Sequence, residues 1–101
     1  MIVDVDIATG SVTLDECDAL NRFHVRCAAD ALAVGRALGD HGRVADKPDH
    51  VWVRIESLRE LAAGKVDAEW PQRFDAMVAY AKSKGWLDPS GTCLMAHVQA
   101  D

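Results

Sequence analysis

The chain has 101 residues, of which half are hydrophobic and 27% are charged, and its formal net charge is −5. These values are typical of one globular domain spanning residues 1–101, and they exclude a disordered chain. The acidic balance argues against bulk attraction to nucleic acid, because that attraction needs a positive field. No apolar run reaches the roughly 18 residues of a transmembrane helix, so no membrane partner is expected.

The start of the chain and its cysteines indicate a compartment. The first residues include Asp4 and Asp6 but no base, so a secretory signal is not expected. Cys17, Cys27 and Cys93 are odd in number and show no CxxC spacing, so we expect reduced thiols rather than disulfides. A cytoplasmic protein is predicted, and the abundance of Ala, Val, Asp and Arg is typical of a GC-rich bacterial genome.

Residues 1–21 are predicted to form an N-terminal extension. Residues 2–7 alternate in polarity, a glycine-containing turn follows, and residues 12–14 can return as a second strand of a hairpin. Thr13 is followed three residues later by Glu16, which matches a capping box. A short helix is therefore expected in the rest of the extension.

The main part of the domain, residues 22–98, alternates between two kinds of hydrophobic period. Alternation of period two predicts strands over residues 22–27, 42–45, 50–55 and 92–98. Spacing near 3.6 predicts helices over residues 28–39, 57–64 and 67–84. Gly35 lies inside the first of these helices, where a glycine indicates a close approach to the sheet.

This order of elements predicts an α+β fold of the ferredoxin-like βαββαβ type, an antiparallel sheet with its helices on one face. The expected sheet order is last, first, third, second, counting the four strands of residues 22–98. The alternative is a winged-helix-like α+β fold, because a strand over residues 51–55, the helices over 57–64 and 67–84 and a wing over residues 86–98 fit that order.

One face of the predicted sheet is left without helices. Each of three strands carries a His-Val pair, and alternation turns each valine toward the core and each histidine toward the open face. We expect His24, His97 and Arg54 to cluster with Trp52 beside them, and His50 to lie toward the other end. No acidic residue is expected there. The side chains assigned to this face are Arg22, His24, Arg26, His50, Trp52, Arg54, Cys93, Met95 and His97.

An open face of this composition predicts a pocket for a small organic molecule, enclosed by a homodimer whose open faces meet. This arrangement is similar to that of the dimeric α/β-barrel proteins, which include small monooxygenases, isomerases and cyclases, on fold-level analogy alone. The expected function is small-molecule binding or acid–base catalysis, with His24 and His97 as catalytic proton carriers. The candidate substrate-binding residues are Arg26, His50, Trp52, Arg54 and Met95.

Three other interpretations stay open. An acidic chain without a motif also suits a non-catalytic protein-interaction or accessory module. A winged-helix-like regulator that binds nucleic acid is a further alternative, although the open face carries a single aromatic residue. A metal site from His24, His97 and either His50 or Cys93 is disfavoured, because the ligands must converge to within about 2.3 Å of the ion. No metal or cofactor is predicted.

Overall fold

The computed structural model describes residues 1–100; residue 101, the end of the predicted domain, lies outside the described residues. The strands are β1 (Ile2–Asp6), β2 (Ser11–Asp15), β3 (His24–Arg26), β4 (Gly42–Val44), β5 (His50–Arg54) and β6 (Cys93–Gln99). The helices are α1 (Ala31–Leu38), α2 (Ile55–Ala62) and α3 (Trp70–Ser83), with a 3-10 turn after α1. The predicted α+β class is confirmed. None of the helices in this part of the chain has the length and apolar character to cross a bilayer.

The strands form one mixed, curled sheet in the order β2-β1-β3-β6-β5-β4. The pairs β1–β3 and β3–β6 are parallel, and the other three pairs are antiparallel. The prediction placed the last strand at the edge, next to the first strand of the 22–98 segment, with every pair antiparallel. That order was wrong, because β6 lies between β3 and β5, and the ferredoxin-like topology is not confirmed.

Strand length explains why β6 takes a central place. It has seven residues whereas β3 has only three, so β6 has many more backbone groups to pair on both sides. Its alternation also turns Leu94 and Ala96 into the core, where they are 2% and 1% exposed. The short β3 is held on its other side by β1, in a ladder that starts with Ile2 opposite His24.

The N-terminal extension is therefore part of the sheet. The predicted hairpin is confirmed as β1 and β2, and Thr13 pairs with Asp4 within it. The helix expected after Thr13 was wrong, because β2 continues to Asp15 and keeps Thr13 in the ladder opposite Asp4. Glu16 then adopts a positive φ of 50°, and turns replace the helix.

One apolar core fills the space between the sheet and the helices. Val25, Val51 and Val53 are fully buried on the sheet side, as the alternation predicted. On the helix side, Trp70 stacks on Phe74 with ring centroids 4.7 Å apart. The Trp70 indole nitrogen donates to the Cys17 carbonyl at 2.8 Å, which ties the turn after β2 to α3.

Gly35 marks the closest approach of α1 to the sheet. A Cβ placed on Gly35 would lie 2.6 Å from the backbone nitrogen of Val44 in β4. This is inside van der Waals contact with backbone, so no rotamer change can relieve it. The close approach predicted from the sequence is confirmed.

A buried carboxylate ties the turn before β6 to the edge strand β4. Asp88 accepts hydrogen bonds from the Arg43 guanidinium at 3.0 Å, the Ser90 hydroxyl at 2.8 Å, and the amides of Thr92 and Cys93 at 3.0 and 3.1 Å. Burial alone would raise the pKa of Asp88, but these four donors outweigh it and lower the pKa from 3.8 to about 2.

We expect Gly35→Ala to lower the free energy of unfolding by about 1–2 kcal/mol, because displacing β4 costs more than the gain in helix propensity. Urea denaturation monitored by circular dichroism measures the change. Arg36→Ala, an exposed position on the same helix, is the control and should change stability by less than about 0.5 kcal/mol. A more stable Gly35→Ala variant would contradict the close approach.

We expect Asp88→Asn to lower stability at pH 7 by about 2 kcal/mol, because a neutral amide brings an NH₂ donor against groups that are already donors. The folded-state pKa of Asp88 lies below the unfolded value, so its contribution is complete above pH 4 and is lost as the pH falls toward 2. The difference between wild type and variant should therefore shrink over that range in urea titrations. Asp46→Asn, an exposed loop position, serves as the control; a difference that is constant from pH 7 to pH 2 would argue against this role for Asp88.

Candidate functional site

Three histidines lie side by side across the middle of the sheet. His24 of β3 and His50 of β5 are both register partners of His97 in β6. We call these three residues the imidazole row. The rings of His50 and His97 have centroids 5.0 Å apart. The predicted proximity of His24 and His97 is observed, whereas the displacement expected for His50 was wrong, because β5 pairs with β6 rather than with β3.

The hydrogen bond of His50 defines which of its ring nitrogens carries the hydrogen in the neutral form. Nδ1 lies 2.8 Å from the Pro48 carbonyl oxygen, in the turn between β4 and β5. A carbonyl only accepts, so Nδ1 carries the hydrogen and the neutral ring keeps its lone pair on Nε2. Nε2 is then the nitrogen of His50 that remains for proton exchange or for a ligand.

A break in the sheet lies beside the row, because two separate segments pair with the same side of β6. His97 and the residues after it pair with β3. Nearer the start of β6, the Met95 amide donates to the Trp86 carbonyl at 3.0 Å, and Leu94 forms a bridge with Leu87. Ala96 lies between these two pairings. Phe23, which comes just before β3, and Trp86 therefore lie on either side of a gap in the sheet.

Two adjacent cavities occupy this gap, and we call them together the aromatic groove. The smaller, of about 200 Å³, is lined by two members of the imidazole row, His50 and His97, together with Phe23, Lys47, Trp86 and Met95. The larger, of about 550 Å³, extends toward α3 and adds mainly apolar side chains, among them Leu20, Met77, Tyr80 and Leu94. Phe23, Trp86 and Met95 line both cavities.

Trp86 is one of three residues lining the smaller cavity, with Phe23 and Lys47, that were not predicted from the sequence to belong to the site. It follows the glycine that ends α3, and its amide donates to the Ala81 carbonyl at 3.0 Å. Its side chain is 50% exposed and meets Tyr80 edge to face with centroids 5.8 Å apart. A tryptophan placed directly after a helix-ending glycine, outside any apolar stripe, was the available signal.

Arg26 belongs to a different cluster of the same face. Its guanidinium donates to Asp4 at 3.0 Å and to Asp15 at 2.6 Å, and both acids come from the N-terminal hairpin. The expectation that no acid lies on this face was therefore wrong. The hydrogen bonds to the two carboxylates raise the pKa of Arg26 and neutralise its charge, so its predicted role in binding a substrate finds no support in its contacts.

Arg54 lies at the far end of β5 from the imidazole row. It is the register partner of Cys93, four residues before His97, and its guanidinium donates to the Asp40 carbonyl at 3.2 Å. The predicted cluster of Arg54 with His24 and His97 was wrong, because it assumed that β5 is the neighbour of β3.

The two remaining candidates differ in position. Met95 lines both parts of the groove, whereas Trp52, its register partner, lines neither. The Trp52 indole instead lies 5.9 Å from the guanidinium carbon of Arg43. Cys93 is buried next to Arg43, which donates to its sulfur at 3.5 Å.

Among residues 1–100, no group of three or more His, Cys, Asp or Glu side chains is placed to hold a metal ion.

The arrangement brings together an apolar slot with aromatic walls and a pair of imidazoles at one end. Imidazole donates, accepts and exchanges protons near neutral pH, so the polar end suits recognition or proton transfer. No protein-family model, curated protein or solved structure matches the chain. Its function is therefore inferred from the groove and the imidazole row.

Proposed function

We propose that the protein binds a small organic molecule in the aromatic groove, and that His97 and His50 contact the polar end of that molecule. The observation that carries this proposal is that both histidines line the same cavity as Phe23 and Trp86. Sites for small molecules are concave and mostly apolar, with a few polar groups that fix orientation. The groove has this composition.

The size and walls of the groove support a ligand of modest size. The larger cavity, about 550 Å³, is within the usual range for small-molecule sites. Phe23 and Trp86 offer flat faces, and Met77 and Met95 are adaptable side chains that follow the outline of a ring. A ligand held here would have its reactive or polar group against the imidazoles.

The imidazole pair also supports acid–base chemistry on that ligand. Because Nδ1 of His50 donates to Pro48, its Nε2 is the position that accepts or releases a proton. His97 stands 5.0 Å away, ring to ring, so a proton can pass between one imidazole and the ligand while the other stabilises the charge. His24, the third member of the row, lines neither cavity and would act on the ligand through His97.

Enclosure of the groove by a second copy of the chain, as the sequence analysis expects, remains a prediction. A homodimer across this face would cover Tyr80 and Trp86, which are 57% and 50% exposed in the single chain. Sedimentation equilibrium of the purified protein checks it, and a monomer at millimolar concentration would contradict it.

The proposal is tested by titrating ¹⁵N-labelled protein with naphthalene compounds that carry a neutral, an acidic or a basic substituent. We expect at least one of them to shift the Trp86 indole signal and the amides of Phe23, Met95 and His97. Trp86→Ala should weaken that binding roughly fivefold or more, because an aromatic contact contributes about 1 kcal/mol.

Leu32→Ala is the matched control, since Leu32 is 51% exposed and lies on α1, outside the groove. It should leave the affinity unchanged, and the spectra of both variants report whether the fold is kept. If no compound perturbs the groove, or if the two variants bind equally well, the protein does not use this groove for small molecules.

A further inference from the structure

We infer that the ligand of the aromatic groove is a planar aromatic anion, with its ring between Phe23 and Trp86 and its acidic group at Lys47, His50 and His97. This inference rests on the proposed function and adds the chemical class of the ligand. The carrying observation is the distribution of charge around the two cavities.

The groove is free of acidic side chains in a protein that is otherwise acidic. The chain has 16 acidic residues and a net charge of −5, yet none of the described residues lining either cavity is Asp or Glu. A local surface without negative charge, inside a negative field, is where an anion meets the least repulsion.

The basic groups converge at the smaller cavity. Lys47, His50 and His97 all line it, and no acidic residue in the described part of the chain forms an ion pair with the Lys47 ammonium. At the other end, Arg22 is already paired with Glu16 at 3.2 Å. An acidic group on the ligand is therefore expected at the Lys47 end.

The hydrogen bonding of His50 favours an anion over a neutral acceptor. Its Nδ1 hydrogen is taken by Pro48, so His50 donates to a ligand only from a protonated Nε2. A ligand anion stabilises that protonated ring through a charge-assisted hydrogen bond, which is about twice as strong as a neutral one. The Lys47 ammonium adds a second positive charge. Because it is a point charge on a flexible side chain, it can contact the anion in more than one orientation.

The shape of the groove sets the rest of the ligand. Phe23 and Trp86 line both cavities, so a flat ring held between them extends from the smaller cavity into the larger. The larger cavity is lined mainly by apolar side chains, which favour a ring system without further charges. An aliphatic anion would leave the aromatic walls without a matching surface.

The test compares four compounds with one ring system: 2-naphthoate, 2-naphthyl phosphate, 2-naphthamide and 2-naphthylmethylammonium. Calorimetry and ¹⁵N spectra give their affinities and their positions. We expect at least one anion to bind tenfold or more tighter than the amide and the ammonium, and the tighter anion identifies the acidic group as carboxylate or phosphate.

Variants then assign the charge preference to its residues. Lys47→Ala and His97→Gln should each reduce the ratio of anion to amide affinity threefold or more. Lys82→Ala, an exposed lysine on α3 that lines neither cavity, should leave the ratio unchanged.

The outcomes separate the two levels of the proposal. Binding of the amide or the ammonium in the groove as tightly as either anion would overturn the ligand class and leave the proposed function standing. An anion preference that survives both Lys47→Ala and His97→Gln would also overturn it. If none of the four compounds binds in the groove, the proposed function fails and this inference fails with it.

Discussion

The constraint on which the site depends is that β6 has two neighbours on one of its sides. β5 pairs along most of the strand, but the other side is shared between β3 and the segment at Trp86. Neither of these is long enough to cover the strand alone, since β3 has only three residues. The two segments leave a gap in the sheet, and the gap brings Phe23 and Trp86 next to His97. A longer β3 would close the ladder and remove the groove.

The faces of the sheet could be predicted from the sequence, but the order of its strands could not. Alternation alone requires Val25, Val51 and Ala96 to be buried and their histidine neighbours to point the other way. Which strands are neighbours depends on how long each strand is and on which other strands of the chain compete to pair with it. Here the N-terminal hairpin takes one edge of β3, and no local pattern in residues 22–98 indicates this.

The difference between predictable faces and an unpredictable strand order also explains which site residues could be identified from the sequence. His24 and His97 are adjacent in both the predicted and the observed order, so their proximity did not depend on the error. The position of Arg54 was predicted wrongly because its neighbours depend on the strand order. The surroundings of Arg26 were predicted wrongly because its acidic partners lie in the N-terminal extension. Trp86 belongs to neither a strand pattern nor a helix stripe, so periodicity assigns it no face.

The charges of the open face now separate into two regions with different consequences. Near the hairpin, the one positive charge of Arg26 faces the two carboxylates of Asp4 and Asp15, so this part of the face has a net negative charge and does not attract anions. Near the turn between β4 and β5, no carboxylate among residues 1–100 forms an ion pair with Lys47, His50 or His97. In a chain of net charge −5, attraction of an anion to these cations would act only over a short range. Long-range steering would be weak and selectivity would come from short contacts, so the affinity for an anionic ligand should depend on the shape of the groove as well as on its charge.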